Sequence, residues 1–369
     1  MKIKIMPQDL VRHISIAQRA ISNRTTMNIL ECIRFEAKGQ ELILTATDLE
    51  ISIETKLKCQ VIQEGIVVVS ASIIGNIFRK LPQAEATISR NNEVIDIDCL
   101  DSHFHLQVPD PEEFPSLPEV DSKKVTRIYS DVLRHGIQET EFASSLDESK
   151  LALTGIFFER RESEIRLVAL DGYRLAVRRI PLDPGQEKEE YSLIIPRRSM
   201  IEVSRIFTDD GDLMIRTVPG HIVFENKKTK LFSRLIDKNY INYEDIISSD
   251  FKTEVSISRL NLQNALERAS LLAKEERANL IKLTFDQNKL YIESNSEIGH
   301  VNEQLSLEKE GDDIKIAFNA KYLLEGIRAL DVDQISLQLN GSLNPLLIRP
   351  QEDPGSYLYL VLPVRVGRE

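Results

Sequence analysis

Tryptophan is absent from the chain, and aromatic residues make up only 6% of it. No interleaved run of aromatic and basic residues offers stacking platforms for unpaired bases, and no paired Cys and His spacing suggests a zinc finger. Cysteine is also scarce. Cys32, Cys59 and Cys99 are far apart, odd in number and form no C-x-x-C. That pattern argues against a disulfide framework and fits a reducing compartment. No stretch approaches the ~18 apolar residues of a membrane helix. The N-terminal Met1-Lys2-Ile3-Lys4-Ile5 alternates like a strand and lacks a signal-peptide core, so a cytoplasmic location is expected.

Catalytic signatures are missing too. There is no G-x-x-x-x-G-K-[ST], no G-x-G-x-x-G, no G-x-S-x-G and no H-E-x-x-H. His103 and His105 form an H-x-H on one strand face, but no further His or Cys lies close in sequence to complete a metal site. Solvated or interface side chains are the expected reading. Asp209-Asp210 belong to an Asp-Asp-Gly-Asp turn rather than to an acid–base pair. No catalytic residue, metal or cofactor is expected.

What is present is repetition. Six amphipathic segments are expected as helices: Pro7–Arg24, Ser70–Leu81, Ser130–Ser144, Pro196–Phe207, Ser258–Arg277 and Asn319–Leu330. The first carries Leu10, Ile14, Ala17 and Ile21 on one face; the second aligns Ile73, Ile77 and Leu81. Alternating strand runs lie between them, among them Glu41–Ala46, Leu49–Ile53, Val94–Asp98, Phe104–Val108, Ile165–Ala169 and Lys289–Glu293. Asp48-Leu49 recurs as Asp171-Gly172 after 123 residues, and 123 is one third of the 369-residue length. The second helix of each repeat starts at Ser70, Pro196 and Asn319, spaced by 126 and 123. The fold class is therefore α+β, with three equivalent domains, 1–122, 123–249 and 250–369, each with two helices packed on antiparallel sheets. Polar linkers are expected at Pro118–Lys124 and Ile247–Lys252.

Net charge is −11, which alone argues against nucleic acid. The distribution argues otherwise. The six helical segments hold 15 basic and 9 acidic residues, a balance of +6 that leaves −17 on the rest. A basic helical surface on an acidic body suits sequence-independent phosphate contact. Arg79, Lys80, Arg197 and Arg198 are the plausible contacts. A repeat-built protein scaffold remains open on charge alone.

Seven ordered fragments resemble the beta sliding clamp family of bacterial DNA polymerase III. They are Asn23-Arg24, Thr47–Glu50, Glu113-Phe114-Pro115, Leu153–Glu159, Asp171–Ala176, Ile195–Arg198 and Leu362–Arg365. The resemblance covers the whole chain. It implies a non-catalytic processivity subunit: a head-to-tail homodimer closing a six-domain ring around double-stranded DNA without sequence preference. It implies contacts through Phe104 and Leu106 of one copy against Leu271 and Leu272 of the other. Further implied partners are the replicative polymerase, the clamp loader, mismatch-repair proteins and other proteins with a clamp-binding motif; no membrane is implied. The shared pocket for their short hydrophobic peptides would be lined by Leu153, Leu170, Gly172, Tyr173, Arg174, Leu175, Ile241, Ile246, Tyr322, Leu343, Pro345, Leu360, Leu362, Pro363, Val364 and Arg365. Arg24 and Lys150 would add DNA contacts. Without the resemblance, Tyr357–Val366 reads only as a terminal strand.

The chain departs from the family pattern at several points. Tyr173 stands where His is common, Ile241 replaces a frequent Pro, and Leu362 and Val364 stand where Met is common. Branched side chains repack less freely, so a narrower peptide preference is expected. Gly367-Arg368-Glu369 extends past the usual end, toward the groove.

Overall fold

The computed structural model describes residues 1–22, 25–120, 124–186, 189–209, 211–248, 250–273 and 279–365. It forms two compact units. Unit 1 holds Met1–Asp131 and Arg205–Leu235; unit 2 holds Val132–Ser204 and Ile236–Glu369. The middle third of the chain thus contributes to both units.

Each unit is built on two antiparallel sheets. Unit 1 has a five-stranded sheet in the order Gln60–Gln63, Lys2–Ile5, Ala86–Asn91, Val94–Cys99, Ser102–Gln107. Its eight-stranded sheet runs Thr126–Tyr129, Asp212–Val218, His221–Glu225, Thr229–Arg234, Ile51–Lys58, Glu41–Thr47, Cys32–Lys38, Gly65–Ser70. Unit 2 has a nine-stranded sheet: Tyr191–Pro196, Gly155–Arg160, Glu164–Leu170, Arg174–Pro181, Tyr357–Val361, Leu346–Pro350, Gln334–Leu339, Thr253–Ser258, Glu308–Gly311. Its four-stranded sheet runs Gly299–Ser306, Lys289–Ser296, Leu280–Asp286, Ile314–Asn319.

The six expected helices are present and shorter: α1 Pro7–Ala17, α2 Ala71–Lys80, α3 Ser130–Gln138, α4 Arg197–Ile206, α5 Arg259–Ala273 and α6 Ala320–Ala329. α1 starts with Pro at its first position, where the missing N–H has no intrahelical partner to lose. It gives way to a 3-10 turn at Gln18–Ala20, and Ile21 is already extended. Leu10, Ile14 and Ala17 are buried as expected, and His13 joins them, its Nδ1 2.7 Å from the Thr55 hydroxyl. α6 is capped by Asn319, whose side chain accepts the N–H groups of Lys321 and Tyr322. α5 is described as far as Ala273; residues 274–277 of the expected helix, like Asn23, Arg24, Asp210 and the terminal Gly367-Arg368-Glu369, lie outside the described residues.

Two expectations need correction. In α2 the buried face is Ala71, Ile74, Gly75 and Phe78, while Ile73 is 49% exposed. The apolar stripe is one residue out because Phe78, the bulkiest side chain, sets which face turns inward. The strand expected at Leu49–Ile53 starts at Ile51. Asp48 prevents an earlier start: its carboxylate accepts the N–H groups of Glu50 and Ile51, folding Leu49 to φ +75°.

Among the described residues, no helix is long and apolar enough to cross a membrane, and no three His, Cys, Asp or Glu side chains converge as a metal site. His103 and His105 instead each lie 2.7 Å from a carboxylate of the neighbouring strand, Asp98 and Asp96.

Candidate peptide-binding groove

The groove in unit 2 begins at a turn. Asp171 accepts the backbone N–H groups of Tyr173 and Arg174 at 2.8 and 3.1 Å, and Gly172 between them takes φ +95°. Glycine adopts that conformation without the clash a Cβ brings. The turn holds Tyr173 outward, 60% exposed. The strand Arg174–Pro181 then pairs with Tyr357–Val361, setting Leu175 opposite Leu360 and Arg174 opposite Val361. Beyond that strand, Leu362 donates to the Tyr173 carbonyl at 2.9 Å and Val364 to that of Ala317 at 2.8 Å. These two bonds fix the terminal segment beside the turn.

The floor is apolar. Leu153, Val168, Leu170, Leu175, Val177, Tyr243, Leu347, Leu358 and Leu360 form one buried cluster. Phe157 and Tyr240 pack against it and stack on each other, 4.6 Å apart and nearly parallel. Tyr243 donates its hydroxyl to Glu159 at 2.5 Å. Burial, then the Glu159 carboxylate, pushes this phenol up to about 12, so it stays a donor at neutral pH. Tyr173 and Leu362, side by side at the turn, and Ile246, at the edge of the cluster, are exposed; so are Ile241 and Leu343. A cavity of about 70 Å³ opens between Ile246, Phe251, Leu339, Pro345, Leu347 and Leu360. Exposed apolar groups beside a preformed apolar floor are what a docking peptide can cover.

Arg174 organises one end of this groove. It is only 8% exposed. Its guanidinium donates to Asp171 at 3.0 Å, to the Phe142 carbonyl at 2.6 Å, and to Glu325. It lies 4.5 Å from the Tyr322 ring centroid and 5.4 Å from that of Phe142. Tyr173 stacks on Tyr322 at 5.9 Å. Tyr359 donates its hydroxyl to the Tyr322 carbonyl at 2.8 Å. A planar cation with five donors can be satisfied by several partners at once, which makes it a rigid hub.

The sixteen expected pocket residues all fall in unit 2. Leu153, Leu170, Leu175, Leu360 and Arg174 are buried; Tyr322, Pro345, Pro363 and Val364 are half-buried; Arg365 is exposed. The sequence reading missed Val168, Val177, Phe157, Tyr240, Tyr243, Phe142 and Glu325. Val168 and Val177 were within reach, since they alternate with Leu170 and Leu175 on one face of their strands.

The expected DNA contacts are placed unevenly. Arg24 lies outside the described residues. Arg79, Lys80, Lys150 and Arg198 are exposed. Arg197 is engaged instead: it pairs with the Glu141 carboxylate at 2.6 Å and donates to its carbonyl at 2.9 Å. Phe104 and Leu106 are half-buried on the sheet-edge strand Ser102–Gln107. Leu271, 65% exposed, and the half-buried Leu272 sit near the end of α5.

Three family profiles match in order. They are the N-terminal domain of DNA polymerase III beta subunit over 1–118, its central domain over 127–242 and its C-terminal domain over 244–365. The beta sliding clamp of Bacillus subtilis is 33% identical over 99% of this chain and 100% of its own length. The crystal structure of the Bacillus subtilis DNA polymerase sliding clamp superposes with a TM-score of 0.96 at 33% identity, covering all of both chains. A DNA polymerase III beta subunit structure from Eubacterium rectale gives 0.94 at 31% identity, over 99% of this chain and 100% of that one.

Proposed function

This chain belongs to the DNA polymerase III beta subunit family, the beta sliding clamps, and on that premise we propose a role for each of its parts. It is a non-catalytic processivity clamp. Two copies, each of three domains with boundaries at 122/123 and 249/250, join head to tail into a ring around duplex DNA in the cytoplasm. Phe104 and Leu106 of one copy meet Leu271 and Leu272 of the other. Arg79, Lys80, Lys150 and Arg198 supply weak, phosphate-directed contacts, so the ring is held by topology and slides. Arg24 belongs with them, and Arg197 contributes less because Glu141 already neutralises it.

The unit 2 groove is the partner site. The observation that carries it is the pairing of two exposed side chains, Tyr173 and Leu362, whose backbones are joined by a 2.9 Å hydrogen bond, beside the buried cluster that holds Leu170, Leu175 and Leu360. An extended peptide gains about 1.5–3 kcal/mol for each large apolar anchor it buries there. Holding a polymerase by such a peptide raises its effective concentration at the primer end without catalysis.

Retention on nicked circular DNA, loaded by a purified clamp loader with ATP, tests the ring. Retention that disappears on linearising the circle is expected. Equal retention on both forms would sink the reading.

A further inference from the structure

The unit 2 groove has a polar counterpart in unit 1. A shift of 123 residues carries Leu30, Arg34, Thr45, Thr47, Ser52 and Glu54 onto Leu153, Phe157, Val168, Leu170, Leu175 and Val177. The strand pairing agrees at every step. Arg34 lies opposite Thr45, and Thr45 opposite Glu54; Phe157 lies opposite Val168, and Val168 opposite Val177. Thr47 faces Ser52 as Leu170 faces Leu175. The two rows therefore occupy the same place in two copies of one fold, with opposite chemistry.

The change of chemistry opens space. In unit 2 the ring of Tyr240 stacks on Phe157. In unit 1 the nearby ring is that of Phe114, which buries among Ile29, Leu30, Cys32 and Val68. Arg34 provides no ring to stack on and turns to Glu36 at 2.8 Å. A cavity of about 500 Å³ is left between the row Arg34, Thr45 and Glu54, the side chain of Ile66, and the covering segment Pro111–Leu117. That volume lies in the range of ligand pockets.

Its charge is one-sided. Arg34 is committed to Glu36 and Glu54 pairs with Lys230 at 3.7 Å, so the charge left over on the lining is that of Glu112. Residues 108–120 contain Asp110, Glu112, Glu113 and Glu119 and no Lys or Arg. Glu112, which lines the cavity, is exposed. Phe114, Leu117 and Ile66 supply an apolar wall. An anion would meet Glu112 and the acidic covering segment, whereas a cation with a short apolar neighbour finds a partner for each half.

We propose that this cavity is a second docking site, taking an extended peptide segment in which a lysine or arginine stands beside an apolar residue. The cation lies toward Glu112, and the apolar side chain against Phe114 and Leu117. One chain then offers two peptide sites of different preference, one apolar and one basic.

The probe is a fluorescein-labelled octapeptide of alternating Leu and Arg, with a Leu/Glu peptide as its control. Binding to the full-length protein is followed by anisotropy at physiological salt. The basic peptide is expected to bind and the acidic one not. Glu112→Lys, a surface change, weakens binding by about fivefold. Ser116→Tyr, which adds no charge but closes the mouth from an exposed position, weakens it at least as much. Leu362→Asp in the other groove leaves it unchanged. Binding insensitive to Ser116→Tyr would mean diffuse attraction to an acidic surface and overturns the site. Binding lost in Leu362→Asp would place the peptide in the unit 2 groove and also overturns it, as would equal affinity for both peptides.

Discussion

Leu49 and Gly172 occupy the same step of the same turn, 123 residues apart, and both have positive φ, +75° and +95°. Each follows an aspartate, Asp48 or Asp171, whose carboxylate accepts the backbone N–H groups of the second and third residues beyond it. The turn is thus set by the aspartate, and the residue at its crest must tolerate a left-handed backbone. Leucine does so under strain, whereas asparagine visits that region readily. Leu49→Asn is expected to stabilise the protein by about 0.5–1 kcal/mol, and Gly172→Leu to destabilise it by about 1–2 kcal/mol. Thermal unfolding of both variants checks the pair; a loss of stability in Leu49→Asn would contradict the strain.

Arg174 is expected to be the most sensitive position of the groove. Arg174→Ala leaves Asp171 and Glu325 facing each other without their shared cation, at a cost of about 3 kcal/mol. Arg174→Lys does not rescue it, because an ammonium cannot reach Asp171, Glu325 and the Phe142 carbonyl together or lie flat on Tyr322. Denaturation midpoints and peptide affinity, measured side by side, are both expected to fall. A lysine variant with wild-type affinity would refute the hub.

Leu362 and Val364 test selectivity. Leu362 is exposed and Val364 half-buried in the terminal segment beside the Asp171 turn, and branched chains adapt less than methionine. The double change Leu362→Met with Val364→Met is expected to flatten the ranking of partner peptides while leaving stability within about 1.5 kcal/mol. Affinities for a panel of apolar peptides decide it; an unchanged ranking refutes it.

Glu139 gives the stability a pH dependence. Burial pushes its carboxyl up to about 7 from an ordinary 4.5. Arg178, 3.2 Å away, opposes this, but the contact is not aligned as a hydrogen bond. A raised carboxyl pKa means that the folded chain holds the proton more tightly than the unfolded one. This contribution is therefore fully favourable below about pH 4.5, fades as pH rises and is gone above about 7. Between those limits, Glu139→Gln is expected to remove that part of the slope. Chemical denaturation across the range checks it; identical slopes in the two proteins would rule it out.

Much of the fold was legible in the chain. Strand alternation and the 3.6-residue pattern placed all six helices, because burial of one face is written locally. The ends were not legible. α1 gives way at Gln18 and α2 turns Ile73 outward because Phe78 and the sheets beneath decide which face is inside. The groove was legible only through the family resemblance. Nothing local in Leu358 or Leu360 distinguishes a groove floor from an ordinary final strand.

The sequence by itself determined the repeat, the six expected helices and the separation of basic helices from an acidic body. Each of these depends on residues that are neighbours in the chain or in one strand or helix. Only the tertiary structure decided that Arg174 is held by Asp171, Phe142 and Glu325, and that Leu175 lies opposite Leu360. It likewise decided that Arg197 is spent on Glu141. Those relations join residues far apart in the chain, and long-range pairing is fixed by the register of the sheet and by which buried charges find partners, not by local pattern.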